Sequence, residues 1–84
     1  MKLFYSNTPH RVHGQEIHPH DLLEGEVFLL FGGDLSSTDP CKYKRVGNDI
    51  YHWVGRINGS WSLNTTDWFS YKYSDYAPVY IYLP

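Results

Sequence analysis

The chain is poor in the residues that build helices cheaply: its 84 positions hold one Ala, one Met, one Gln and three Glu. Small and straight-chain residues lose least on entering a helix, so their scarcity argues against a helical bundle. Cysteine is nearly absent too. Cys41 stands alone, which rules out an internal disulfide and a cysteine-rich zinc pattern and points to a reducing, cytoplasmic compartment. The longest apolar run, Val27-Phe28-Leu29-Leu30-Phe31, is far short of the ~20 residues of a membrane helix. Met1-Lys2-Leu3 opens no basic region followed by an apolar one, so no secretion signal is expected. Excess positive charge is missing as well, since seven Lys and Arg face nine Asp and Glu for a formal charge of −2. The broad basic stripe of a nucleic-acid binder is therefore not expected.

Aromatic and β-branched side chains are abundant. Phe, Trp and Tyr make up 18% of the chain, and with Val, Ile and Thr they supply 28 residues. These types fit a pleated, half-buried surface. An all-β fold follows: a single compact domain over 1–84, a small antiparallel sheet or barrel of five to seven short strands with at most one or two helical turns. A domain this small buries only ~60–65% of its unfolded surface, and large aromatics are the economical way to fill its core. Phe28, Trp61 and Phe31 are the aromatics expected there. Cys41 is expected to be a small buried hydrophobe.

Along the chain, Lys2–Tyr5 reads as a first strand and 6–21 as a polar stretch anchored by Val12 and Ile17. Asp21-Leu22-Leu23-Glu24-Gly25 reads as one helical turn stopped by glycine. Glu26–Phe31, apolar on both faces, suits a central strand covered from both sides. Lys42–Val46, Asp49–Ile57 and Ser60–Asn64 read as a meander joined by Gly47-Asn48 and Asn58-Gly59. With two-residue loops, Val46 opposes Asp49, Arg45 opposes Ile50, Lys44 opposes Tyr51 and Lys42 opposes Trp53. In the second hairpin Ile57 opposes Ser60, Arg56 opposes Trp61 and Val54 opposes Leu63.

That register sorts the side chains. Ile50, Val54, Trp61 and Leu63 form a core face. Tyr51, Trp53, Lys42 and Lys44 fall on the other, with a bulge at Gly55 as the feature that would swap part of the pattern. After a turn at Thr65-Thr66-Asp67, Trp68–Tyr73 and Tyr76–Leu83 read as a closing hairpin. Ala77, Val79, Ile81 and Leu83 share one side of its last strand, and Tyr76, Tyr80 and Tyr82 the other. Pro78 cannot donate to a ladder and places this segment at a sheet edge or on the unpaired side of one.

Candidate sites follow from these patterns. Lys42, Lys44, Tyr51 and Trp53 combine cations with large rings, which suits a protein hot spot or the stacking of single-stranded nucleic acid. Tyr76, Tyr80 and Tyr82 mark a second docking surface, open to strand addition. His10, His13, His18 and His20 lie within eleven positions of one another and could ligate Zn²⁺ or Ni²⁺, the only cofactor considered; their spacing matches no standard finger, and a His-rich polar loop is the plainer reading. No glycine-rich phosphate loop, nucleophile elbow or His-Glu-x-x-His motif is present, so no enzyme is expected.

The expected function is non-catalytic binding of another protein, as a small stoichiometric inhibitor. By analogy of size and composition, such inhibitors include phage proteins acting on host enzymes or defence systems. Single-stranded nucleic-acid binding, disfavoured by the charge, and homo-oligomeric assembly through the C-terminal edge strand are the alternatives.

Overall fold

The structure is a computed structural model and describes residues 10–55, 58–71 and 77–84. The expected strand at Lys2–Tyr5, the Ser74-Asp75 turn and Tyr76 lie outside the described residues. The fold is all-β. Six strands, β1 (Glu16–Ile17), β2 (Val27–Leu29), β3 (Tyr43–Val46), β4 (Asp49–Val54), β5 (Ser60–Thr65) and β6 (Val79–Ile81), form one antiparallel sheet. The order is β1-β6-β2-β3-β4-β5, open rather than closed into a barrel. Among the described residues helical structure is limited to 3-10 segments at Pro19–Asp21 and Gly32–Ser36 and one turn of α-helix at Trp68–Tyr71. No described helix is long and apolar enough to cross a membrane.

The β3–β4 hairpin has the register counted from the sequence: Val46↔Asp49, Arg45↔Ile50 and Lys44↔Tyr51, and Trp53 N–H donates to the Lys42 carbonyl at 3.0 Å. Gly47 takes φ +62°, the left-handed value that the first central residue of a type II′ turn needs. The second hairpin differs. Val54 opposes Ser60, Trp53 opposes Trp61 and Tyr51 opposes Leu63, and the expected partners Arg56 and Ile57 lie outside the described residues. From Ser60 to Leu63 the pairing is displaced by an odd number of residues from the two-residue-loop count, so these side chains change face. A further irregularity between Ile50 and Tyr51 pairs Ile50 with Thr65.

One side of the sheet carries the core. Ile17, Leu22, Phe28, Ile50, Trp68, Phe69, Val79 and Ile81 form a single buried cluster, with Leu30 and Tyr43 packed against it. The ring centroids of Phe28 lie 6.0 Å from Tyr43 and 6.4 Å from Phe69, and those of Trp68 and Phe69 lie 4.7 Å apart. Trp68 and Phe69 correct the expectation of a strand at Trp68–Tyr73. Adjacent strand residues point to opposite faces, whereas a helical turn lets both rings enter one core. Asp67 breaks the strand with φ +54°. The turn is tied to the β3–β4 hairpin by Asp67 N–H donating to Asp49 Oδ1 at 3.0 Å and Phe69 N–H donating to the Asn48 carbonyl at 3.2 Å.

β2 is covered from both sides, with Phe28 and Leu29 both fully buried, but it is shorter than the expected Glu26–Phe31 and Phe31 is 64% exposed, not in the core. Leu29 lies outside the main cluster, on the opposite face beside Tyr80. The ring of Tyr80 in turn packs so closely under Gly32 that a Cβ there would stand 3.3 Å from it. Ile17 is an anchor, but Val12 is exposed, and the helical turn expected at 21–25 sits at Pro19–Asp21. Cys41 is exposed, not buried.

The sequence also placed the last strand at an edge. β6 instead lies between β1 and β2. Pro78 precedes its first residue, Val79, so the ladder needs nothing from the proline nitrogen. Among the described residues the edges of the sheet are β1 and β5.

A candidate interaction face of cations and tryptophans

The odd displacement in the second hairpin assembles the site. Lys42 and Lys44, Tyr51 and Trp53, and Trp61 and Leu63 all project from the side of β3–β5 opposite the core. Lys42, Lys44, Tyr51, Trp53 and Trp61 are half-buried there, and Leu63 is 49% exposed. The rings of Trp53 and Trp61 meet edge to face with centroids 5.2 Å apart. The Lys44 ammonium reaches across β4 to stand 4.6 Å from the Trp61 centroid. The Lys42 ammonium lies 5.1 Å from the Trp53 ring and 5.4 Å from the Tyr82 ring. Each such contact contributes ~0.5–1 kcal/mol at an exposed site, and together they hold Lys42, Lys44, Trp53, Trp61 and Tyr82 in one arrangement.

Gly59 makes that arrangement fit. A Cβ at this position would stand 2.5 Å from Trp53 Cε2 and Cζ2 and 2.5 Å from the Gly55 carbonyl oxygen, so the loop lies directly against the indole. Only a residue without a side chain permits that approach.

The two surfaces expected from the sequence meet at Lys42, whose ammonium touches Trp53 of one and Tyr82 of the other. Tyr82 also packs against His13, ring centroids 5.1 Å apart. Tyr80, beneath Gly32, supports the far end of the sheet. Trp61 and Leu63 belong to the face although the two-residue-loop count assigned them to the core. Gly55 was the one sign in the sequence that β5 pairs differently, and it takes φ +85°.

Two of these histidines accept backbone hydrogen bonds. His13 Nδ1 accepts from Leu83 N–H at 3.0 Å, and His18 Nδ1 accepts from His20 N–H at 3.1 Å, capping the 3-10 segment. His10 is exposed. Among the described residues no three His, Cys, Asp or Glu side chains come together as a metal site. Near these histidines, the Arg11 guanidinium grips Glu26 through two hydrogen bonds of 2.8 and 3.0 Å and the Asp21 carbonyl at 2.9 Å. Arg45, facing the core, bonds the Leu22 carbonyl and lies 4.7 Å over Phe69. Two of the described cations are thus committed to structure, which leaves Lys42 and Lys44 as the described cations of the open face.

Among the described residues no enclosed pocket is present, so the arrangement offers a surface rather than a cleft. Comparison of the chain with protein-family models, with curated proteins and with solved structures gives no match.

Proposed function

We propose that the protein is a non-catalytic binding module that acts as a stoichiometric inhibitor of another protein, through the face formed by Lys42, Lys44, Tyr51, Trp53, Trp61 and Tyr82. The observation that carries this reading is the interlocked Trp53–Trp61 pair with an ammonium over each ring. Tryptophan and tyrosine held rigid and half-buried are the side chains that most often dominate protein interfaces, because they bury much area and lose little freedom on binding. Two ammonium groups beside them suit a partner surface that mixes apolar and acidic side chains.

The same geometry disfavours single-stranded nucleic acid. Bases stack on free ring faces, whereas here the faces of Trp53, Trp61 and Tyr82 each meet a lysine of the same chain. A net charge of −2 adds repulsion from phosphate.

The test is capture from a lysate of the source cell on the immobilised chain, followed by native mass spectrometry of the eluted complex. A defined stoichiometry that survives moderate salt supports the proposal. Clean beads at high loading, or retention only of nucleic acid with an affinity that falls steeply as salt rises, contradict it.

A further inference from the structure

We propose that the outer edge of β5, Ser60–Thr65, is a strand-addition site for an extended acidic segment of a protein partner, with Lys44 meeting a carboxylate beside Trp61. The inference rests on the binding-module reading and specifies how such a module engages its partner.

Among the described residues β5 ends the sheet. Every second residue of an edge strand turns its N–H and C=O outward, and no described backbone hydrogen bond reaches that side of β5. The two edges are treated differently. β1 is two residues long and carries Glu16, while β5 has six residues. Its sequence, Ser-Trp-Ser-Leu-Asn-Thr, contains no charge and no proline, the usual devices that keep a solvent-facing edge from pairing. Six residues present ~20 Å of strand, enough to bind a short extended peptide by main-chain hydrogen bonds.

Charge decides what kind of segment fits. Lys44 belongs to β3, two strands in, yet its ammonium stands over Trp61 on the edge strand. Among the described residues the one ion pair is Arg11 with Glu26, so no described carboxylate answers Lys44. A strand added to β5 places alternate side chains on the face that holds Trp61 and Leu63. A carboxylate beside Trp61 meets the Lys44 ammonium, and an apolar residue two positions along meets Leu63. A second copy of this chain fits less well, because its β5 has no acidic side chain to offer and its own Lys44 comes with it.

The probe is a short capped peptide with Val, Glu and Val at alternate positions and Thr between them, titrated into the full chain and followed by amide NMR. The expected result is saturable shifts and slowed hydrogen exchange at alternate β5 amides. Affinity should fall about tenfold when the peptide Glu becomes Lys or Lys44 becomes Glu (Lys44→Glu), since attraction is replaced by repulsion at one position. It should be retained in Lys44→Arg and lost when the peptide's pairing edge is N-methylated.

No shift at β5, or equal binding by the N-methylated peptide, overturns strand addition. Concentration-dependent protection of β5 amides without peptide, with a doubled mass, overturns the choice of occupant in favour of a second copy. The two proposals fail separately. A partner captured from lysate and displaced by Trp53→Ala, with no peptide effect at β5, removes only strand addition. Peptide docking at β5 with clean lysate beads removes only the inhibitor reading.

Discussion

Trp61, Trp53 and Phe28 show how little a residue's type determines its role. All are large rings on strands, but Phe28 is fully buried in the core cluster while the two tryptophans lie half-buried on the open face. Phe28→Ala should therefore destabilise the fold by ~3–5 kcal/mol, with loss of transfer free energy and a cavity left behind. Trp61→Ala should cost ~1–2 kcal/mol, since only part of its surface is removed from water and its main contacts are Trp53 and Lys44. Urea denaturation of both variants checks this, and an equal loss would place Trp61 back in the core. Gly59→Ala should cost ~1–3 kcal/mol by forcing the Gly55 carbonyl and the Trp53 indole apart, visible as a lowered midpoint and altered tryptophan fluorescence. Glu26→Ala should cost ~1–3 kcal/mol, because Glu26 accepts from Arg11 and also from Leu23 N–H at 2.7 Å, and its loss strands a half-buried guanidinium.

Strands were legible in proportion to how locally their pairing is fixed. The β3–β4 hairpin could be counted from Gly47-Asn48, because that two-residue turn alone sets its register. The β4–β5 hairpin could not: Asn58-Gly59 is a strong turn signal and Asn58 takes φ +50°, yet Ser60 pairs with Val54. Parity then sent Trp61 and Leu63 to the other face. In β6 the alternation of Val79 and Ile81 against Tyr80 and Tyr82 was readable, but its place in the sheet was not. Its neighbours β1 and β2 lie more than fifty residues back, and no local pattern encodes such pairings. Polar composition likewise hid β1 at Glu16–Ile17, which exists because Ile17 pairs with Val79. Amide hydrogen exchange should follow this element order. The β2 and β6 amides, bonded on both sides, should be the slowest to exchange, and alternate β5 amides should be among the fastest of the strand residues. Slow exchange along all of β5 in the free chain would mean that its edge is already paired.

At the scale of the whole molecule, the open sheet separates two tasks. One side gathers Phe28, Trp68, Phe69 and the aliphatic residues into a core with no disulfide. The other is covered near β6 by the Gly32–Ser36 segment over Tyr80 and bears the lysine–tryptophan face over β3–β5. The grouping of Lys42 and Lys44 with Tyr51 and Trp53 was visible in the sequence; that Trp61 joins them required the register. The central claim is that this face is where a partner binds. It is tested most directly by comparing capture of the partner by the wild-type chain, by Trp53→Ala/Trp61→Ala and by Leu23→Ser, which alters an exposed apolar residue in the turn before β2, with folding checked for each. Loss of the complex in the tryptophan variant and its retention in Leu23→Ser is the predicted result. A folded tryptophan variant that captures the partner as well as the wild type does would contradict the account.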